Sequence, residues 1–190
     1  MRALVLSALA AALLVAPASY AGRLDPSALP TIGGTAPAFG LEAFRARGEE
    51  ETSKRVVQLD DFCGMRPGST STLLVAFVNN STAEADFAAL NQWARKYSRD
   101  GFVSIAISTE SNQTAMSELA MKGRKSFPIL DDSYGIVAQR YGINGAPFSL
   151  LLDNGCKVLG MSDQAVSVDA DRLSSSIDER AKNERVLRKK

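Results

Sequence analysis

The chain has 190 residues, 45% hydrophobic and 23% charged, with enough apolar material for one sizeable core. It carries 22 Lys and Arg against 21 Asp and Glu and no histidine, which excludes histidine triads, histidine metal sites and imidazole acid–base catalysis. Near-neutrality also removes any electrostatic reason to hold nucleic acid or an anionic membrane, and neither is expected as a partner.

Met1-Arg2, an apolar run from Ala3 to Ala16, Pro17 and the small residues Ser19 and Ala21 have the layout of a cleavable signal peptide over residues 1–21. The run is short for a bilayer and no stop-transfer segment follows, so the mature chain is expected to be secreted or periplasmic, without stable membrane insertion. Residues 22–36 mix Pro, Gly, Ser and Thr without periodicity and predict a flexible arm ahead of a single domain over 37–182. Residues 183–190, with Arg185, Arg188, Lys189 and Lys190, predict a solvated basic tail.

Phe39 and Leu41 alternate with small or polar neighbours, and Val56-Val57-Gln58-Leu59 follows a charged stretch, Ala43 to Lys54; together they predict two short antiparallel strands joined by a surface loop. Thr72 to Val78 is apolar without alternation, as in a central strand covered on both faces. Ser81-Thr82-Ala83-Glu84 has capping-box spacing and predicts a helix through Phe87, Leu90, Trp93, Ala94 and Tyr97, closed at Asp100-Gly101. Phe102 to Ile107 reads as a second buried strand, and Met116, Leu119 and Ala120 as a helix closed by Gly123. Strand, helix, strand, helix in this order implies parallel pairing through right-handed crossovers.

Phe127-Pro128-Ile129-Leu130 leads to Asp131 and Asp132, whose carboxylates suit the start of a short helix carrying Val137, Ala138 and Tyr141 and stopped at Gly142. Phe148 to Leu152, Asp153-Asn154-Gly155 and Cys156 to Leu159 predict a hairpin with a type I′ Asn-Gly turn, in which both central residues have positive φ. Asp169 suits the start of a last helix through Leu173 and Ile177. There is no internal repeat.

Ala36-Pro37-Ala38-Phe39, Val57 to Gly64, Phe127 to Asp132 and Tyr141 to Pro147 resemble, in order and spacing, the periplasmic redoxins of the TlpA-like and AhpC/TSA (peroxiredoxin-related) group over nearly all of the mature chain. The resemblance implies an α/β thioredoxin-like fold, a mixed central sheet flanked by helices with an N-terminal β extension, and thiol oxidoreductase or antioxidant activity. In that group the central strand runs into a loop bearing a Cys-x-x-Cys pair or a peroxidatic cysteine at the start of the next helix. Here that place reads Asn79, Asn80, Ser81, Thr82, with no cysteine. A helix N-terminus activates a thiol by favouring the thiolate, whereas a hydroxyl needs an adjacent base, and no histidine supplies one.

Pro147 matches the group's cis-proline, so Asn79, Asn80, Ser81, Thr82, Ala146 and Pro147 outline a vestigial groove suited to a protein or peptide. Asn79, Asn80 and Asn112 also lie in N-glycosylation sequons. No cofactor is expected, and no metal site. Cys63 precedes the start of the central strand, and the antiparallel strand from Phe148 carries Cys156 back to that same end, remote from Pro147. The pair is expected to be a structural disulfide, with a relocated redox pair or two buried thiols as the alternatives. The function expected is that of an exported redoxin-like binding or accessory module; the alternative is an oxidoreductase using Cys63 and Cys156.

Overall fold

The computed structural model describes residues 24–44, 55–64, 71–110, 113–122, 126–145 and 147–187. The signal-peptide segment, the charged loop after Phe44, Asn112, Gly123, Ala146 and the last three residues lie outside them.

Thr72–Val78 (β3) is buried along its whole length, because strands pair with it on both sides and helices or loops cover both faces. Phe102–Ser108 (β4) pairs with it in parallel, Val75 opposite Ile105, and Phe148–Asp153 (β6) pairs antiparallel, Val75 opposite Leu150. Ile129–Asp131 (β5) continues the parallel side and Val158–Ser162 (β7) the antiparallel side, giving the order β5-β4-β3-β6-β7. A separate antiparallel pair, Gly40–Glu42 (β1) and Val56–Gln58 (β2), forms the N-terminal extension.

Alternation along β3 divides the core. Leu73, Val75 and Phe77 face a cluster with Phe39, Val57, Tyr141 and Phe148, while Leu74, Ala76 and Val78 face the helices. Ala83–Lys96 (α1) lays Ala83, Phe87, Leu90 and Trp93 on that second face, and Ala170–Leu187 (α4) adds Leu173, Ile177 and Ala181 at helical spacing. Gln113–Met121 (α2) contributes Met116 and Ala120. Ile136–Arg140 (α3) sits on the first face, its start fixed by Asp132, whose buried carboxylate accepts from the N–H groups of Val137 (3.1 Å) and Ala138 (2.8 Å).

Three expectations are corrected. The arm is not loose from residue 24 onward. Leu24 bridges Ile143, the Asp25 N–H donates to the Gly142 carbonyl (2.7 Å), and Gly33 and Gly34 exchange hydrogen bonds with Val158 (2.8 and 2.9 Å). Leu24 and Leu29 pack on the first core cluster, a hold made by backbone bonds and two leucines that leaves no sequence period. Gly142 permits it: at φ 69° a β-carbon there would lie 2.6 Å from the Asp25 carbonyl oxygen. The chain then crosses the first face through Ala36 and Phe39, and Ala43 bridges Leu130 on the opposite sheet edge.

The hairpin turn is not type I′. Among the described residues the non-glycine with positive φ is Cys156, at 58°, and Gly155 is not left-handed. The loop is one residue longer than an Asn-Gly turn, and Asp153 exchanges backbone bonds with Cys156 (3.1 Å) and Lys157 (3.0 Å), which puts the left-handed position on Cys156. Finally, α4 continues to Leu187, so Arg185 belongs to a helix rather than to a tail. Its guanidinium engages Asp100.

Candidate functional site

At the carboxyl end of β3 the chain turns through Asn79–Thr82 into α1. Thr82 is the N-cap and makes no side-chain cap bond. Asn79 organises the turn instead: its Oδ1 accepts from Ser81 Oγ (2.7 Å), the Thr82 N–H (3.1 Å) and Thr82 Oγ1 (3.2 Å). The expected Ser81–Glu84 capping box therefore yields to an Asn-centred turn. Ser81 spends its hydroxyl proton on Asn79, and the Glu84 carboxylate accepts from Lys122 Nζ at 2.7 Å. Asn80 Oδ1 is buried with no hydrogen-bond partner among the described residues.

Pro147 is buried, one residue before the Phe77–Phe148 pair, which brings it to the same end of the sheet as Asn79–Thr82. Ala146, and with it the expected cis peptide, lies outside the described residues. Just past the end of β4, a groove of about 350 Å³ is lined by Thr109, Gly135, Ala138, Gln139, Asn144 and Gly145. Carboxyl ends of parallel strands are where open α/β sheets bind ligands. Sequence reasoning did not single out Thr109, Gln139 or Asn144; the Asn-Gly dipeptide just before Pro147 was the available signal. Tyr141 anchors this region, donating from its hydroxyl to the Pro37 carbonyl (2.6 Å), and burial pushes its phenol far above the ordinary range.

The chemistry this end offers is hydrogen bonding. Ser81 and Thr82 both donate to an amide oxygen rather than to a base, and no residue in the sequence near them is a thiol. The two cysteines are elsewhere. Cys63 follows a 3-10 turn at Leu59–Asp61, Cys156 occupies the hairpin loop, and they form a disulfide with Cα atoms 5.5 Å apart. The register Thr72 opposite Asp153 puts this bridge at the end of the sheet away from Pro147. Among the described residues no group of His, Cys, Asp and Glu is arranged to hold a metal ion.

No protein-family model matches the chain, and no curated protein matches it. Solved structures do. A protein assigned as thiol:disulfide interchange protein DsbE from Chlorobium tepidum superposes with a TM-score of 0.65 at 23% identity, over 80% of this chain and 99% of that one. The chain has a thioredoxin-like fold. The reduced 2-Cys peroxiredoxin of Plasmodium vivax (TM-score 0.57, 17% identity, 73% of this chain and 75% of that one) and the thioredoxin domain of a thiol-disulfide oxidoreductase from Bacteroides vulgatus (0.55, 19%, 76% and 96%) are similar as well. The thioredoxin-like core here is the five-stranded mixed sheet with its helices, and β1 and β2 stand outside it.

Proposed function

We propose that this chain is an exported thioredoxin-like domain that binds a protein or peptide at the sheet end defined by Asn79–Thr82 and Pro147, without exchanging electrons there. The observation that carries this reading is the turn after β3: the resemblance puts the reactive sulfur of redoxins at that place, and Asn79 holds the Ser81 and Thr82 hydroxyls there instead. The groove lined by Thr109, Gln139, Asn144 and Gly145 supplies a concave, mixed polar and apolar surface. Export is supported by the layout of residues 1–21 together with the disulfide.

Insulin reduction and peroxide consumption by the mature chain test the non-catalytic half, and no turnover is expected. Turnover of roughly 1 per second or faster, abolished by Cys63→Ser, replaces this reading with an oxidoreductase that uses Cys63 and Cys156. Selection of a displayed peptide library tests the binding half. Peptides retained by the native chain and lost on Asn144→Arg support it, and a library that yields none sinks it.

A further inference from the structure

The loop that carries Cys156 holds two other segments in place. The Cys156 carbonyl accepts from the Ala36 N–H (2.8 Å), Val158 exchanges with Gly33 and Gly34, and the Asn154 carbonyl accepts from the Gly64 N–H (2.8 Å). Cys156 sits there in a left-handed conformation that its β-carbon disfavours. Two restraints keep it so: the bridge to Cys63, and the Asp153 carboxylate accepting from the N–H groups of Gly155 (2.8 Å) and Lys157 (2.9 Å).

The arm attached to this loop reaches the other end of the molecule. Leu24 and Leu29 line a second groove, about 410 Å³, together with Phe148 and Met161. Beyond Ala36 the chain is anchored independently, by Tyr141 on the Pro37 carbonyl and Arg140 on the Ala38 carbonyl (2.6 Å each). Any release of the arm therefore stops at Pro37.

We propose that the Cys63–Cys156 disulfide is a redox latch on this arm. An external dithiol reductant opens it. One thiolate of the reductant attacks Cys63 Sγ, the more exposed sulfur residue, forming a mixed disulfide and expelling the Cys156 thiolate; the second thiol then closes the reductant's own disulfide. Two electrons pass to the protein, and two protons end on the cysteine thiols. Without the bridge only the Asp153 contacts hold the loop: Cys156 leaves the left-handed region more often, and the bonds from the loop to Ala36, Gly33 and Gly34 open with it. Residues 24–36, left with their contacts at Leu24 and Asp25, then detach more often and uncover Phe148 and Met161. The redox state at one end of the sheet then sets which apolar surface is open at the other.

Hydrogen exchange by mass spectrometry tests the latch on four samples: oxidised protein, dithiothreitol-reduced protein, Cys63→Ser/Cys156→Ser and Cys63→Ser/Cys156→Gly. Peptides from 24–36 are expected to exchange about tenfold faster in the reduced and the serine samples. The glycine variant, which accepts positive φ without strain, is expected to stay within about twofold of the oxidised protein, and β3 and β4 to remain protected in all four. Unchanged arm exchange on reduction overturns the proposal. Equal acceleration in the serine and glycine variants overturns its mechanism, and loss of protection in β3 and β4 shows general destabilisation in place of a latch.

Discussion

Arg185, in the last turn of α4, sets its guanidinium across both carboxylate oxygens of Asp100, Nε to Oδ1 at 2.8 Å and Nη2 to Oδ2 at 2.6 Å. Asp100 ends the turn that follows α1 and is buried, so the pair fastens the C-terminal helix to the entrance of β4. Arg185→Gln is expected to lower the melting temperature by on the order of 3 °C or more, because it removes a two-pronged, charge-assisted contact from a buried carboxylate. Lys96, whose contact with Asp178 is longer (3.4 Å) and lies in solvent, makes the control: Lys96→Gln is expected to melt with the parent chain. Equal melting of the two variants in a calorimetric scan contradicts this ranking.

The disulfide closes a loop of 93 residues, worth about 4 to 5 kcal/mol in the chain-entropy model. Reducing it, or substituting Ser for both cysteines, is expected to lower the melting temperature by on the order of 10 °C while the far-ultraviolet circular dichroism stays native. Alkylation of the exported, non-reduced chain followed by mass measurement reports the bridge directly, and two labelled thiols contradict it.

Asn79, rather than Ser81, organises the turn that leads into α1. Asn79→Ala is expected to cost about 1 kcal/mol in urea denaturation and Ser81→Ala only a few tenths. The reverse ranking restores the capping box.

Gly142 receives the arm. Gly142→Ala combines a left-handed backbone with a β-carbon placed 2.6 Å from the Asp25 carbonyl oxygen, and is expected to cost roughly 1–3 kcal/mol and to speed exchange over residues 24–29. A variant as stable as the parent, with the arm still protected, removes this account of the contact.

Asp169 is held below its ordinary value of 3.8, chiefly by its hydrogen bonds from Arg172, whose Nε lies 3.0 and 2.9 Å from the two carboxylate oxygens. A folded-state pKa below the unfolded one contributes stability that is present above the unfolded value and is lost as pH falls through the folded value. Asp169→Asn is therefore expected to be less stable than the parent at neutral pH, with the gap narrowing below about pH 4. A gap independent of pH, measured by urea titration across that range, contradicts the assignment.

The central architecture was legible because burial writes itself into composition. The apolar run Thr72 to Val78 has no polar alternation and is the strand buried on both faces, and the direction of the strands around it sufficed to bring Cys63 and Cys156 to one end. What escaped sequence reasoning was decided by backbone geometry and by competition between neighbours. The arm is held by main-chain bonds and by the missing side chain of Gly142, neither of which makes a periodic pattern. Asn154-Gly155 suggested a two-residue turn, but one further residue joined the loop and moved the positive φ to Cys156. Ser81-x-x-Glu84 had the spacing of a cap, yet Asn79 stands at the strand exit with a carbonyl long enough to reach three donors. The groove residues Thr109, Gln139 and Asn144 come from three separate segments, and only the folded sheet brings them together.

The N-terminal segment touches both borders of the five-stranded sheet, at Val158 on one side and, after crossing beneath it, at Leu130 on the other. An open sheet of this kind has two rows of main-chain donors and acceptors ready to recruit a strand from a neighbouring molecule. Here the first residues of the described chain occupy part of each row, so self-association by strand addition is opposed at both borders by one stretch of sequence. Proteolytic loss of that stretch would bare both rows of main-chain groups, together with the sheet face that Ala36 and Phe39 cover, and leave the sheet open to strand addition from a second copy.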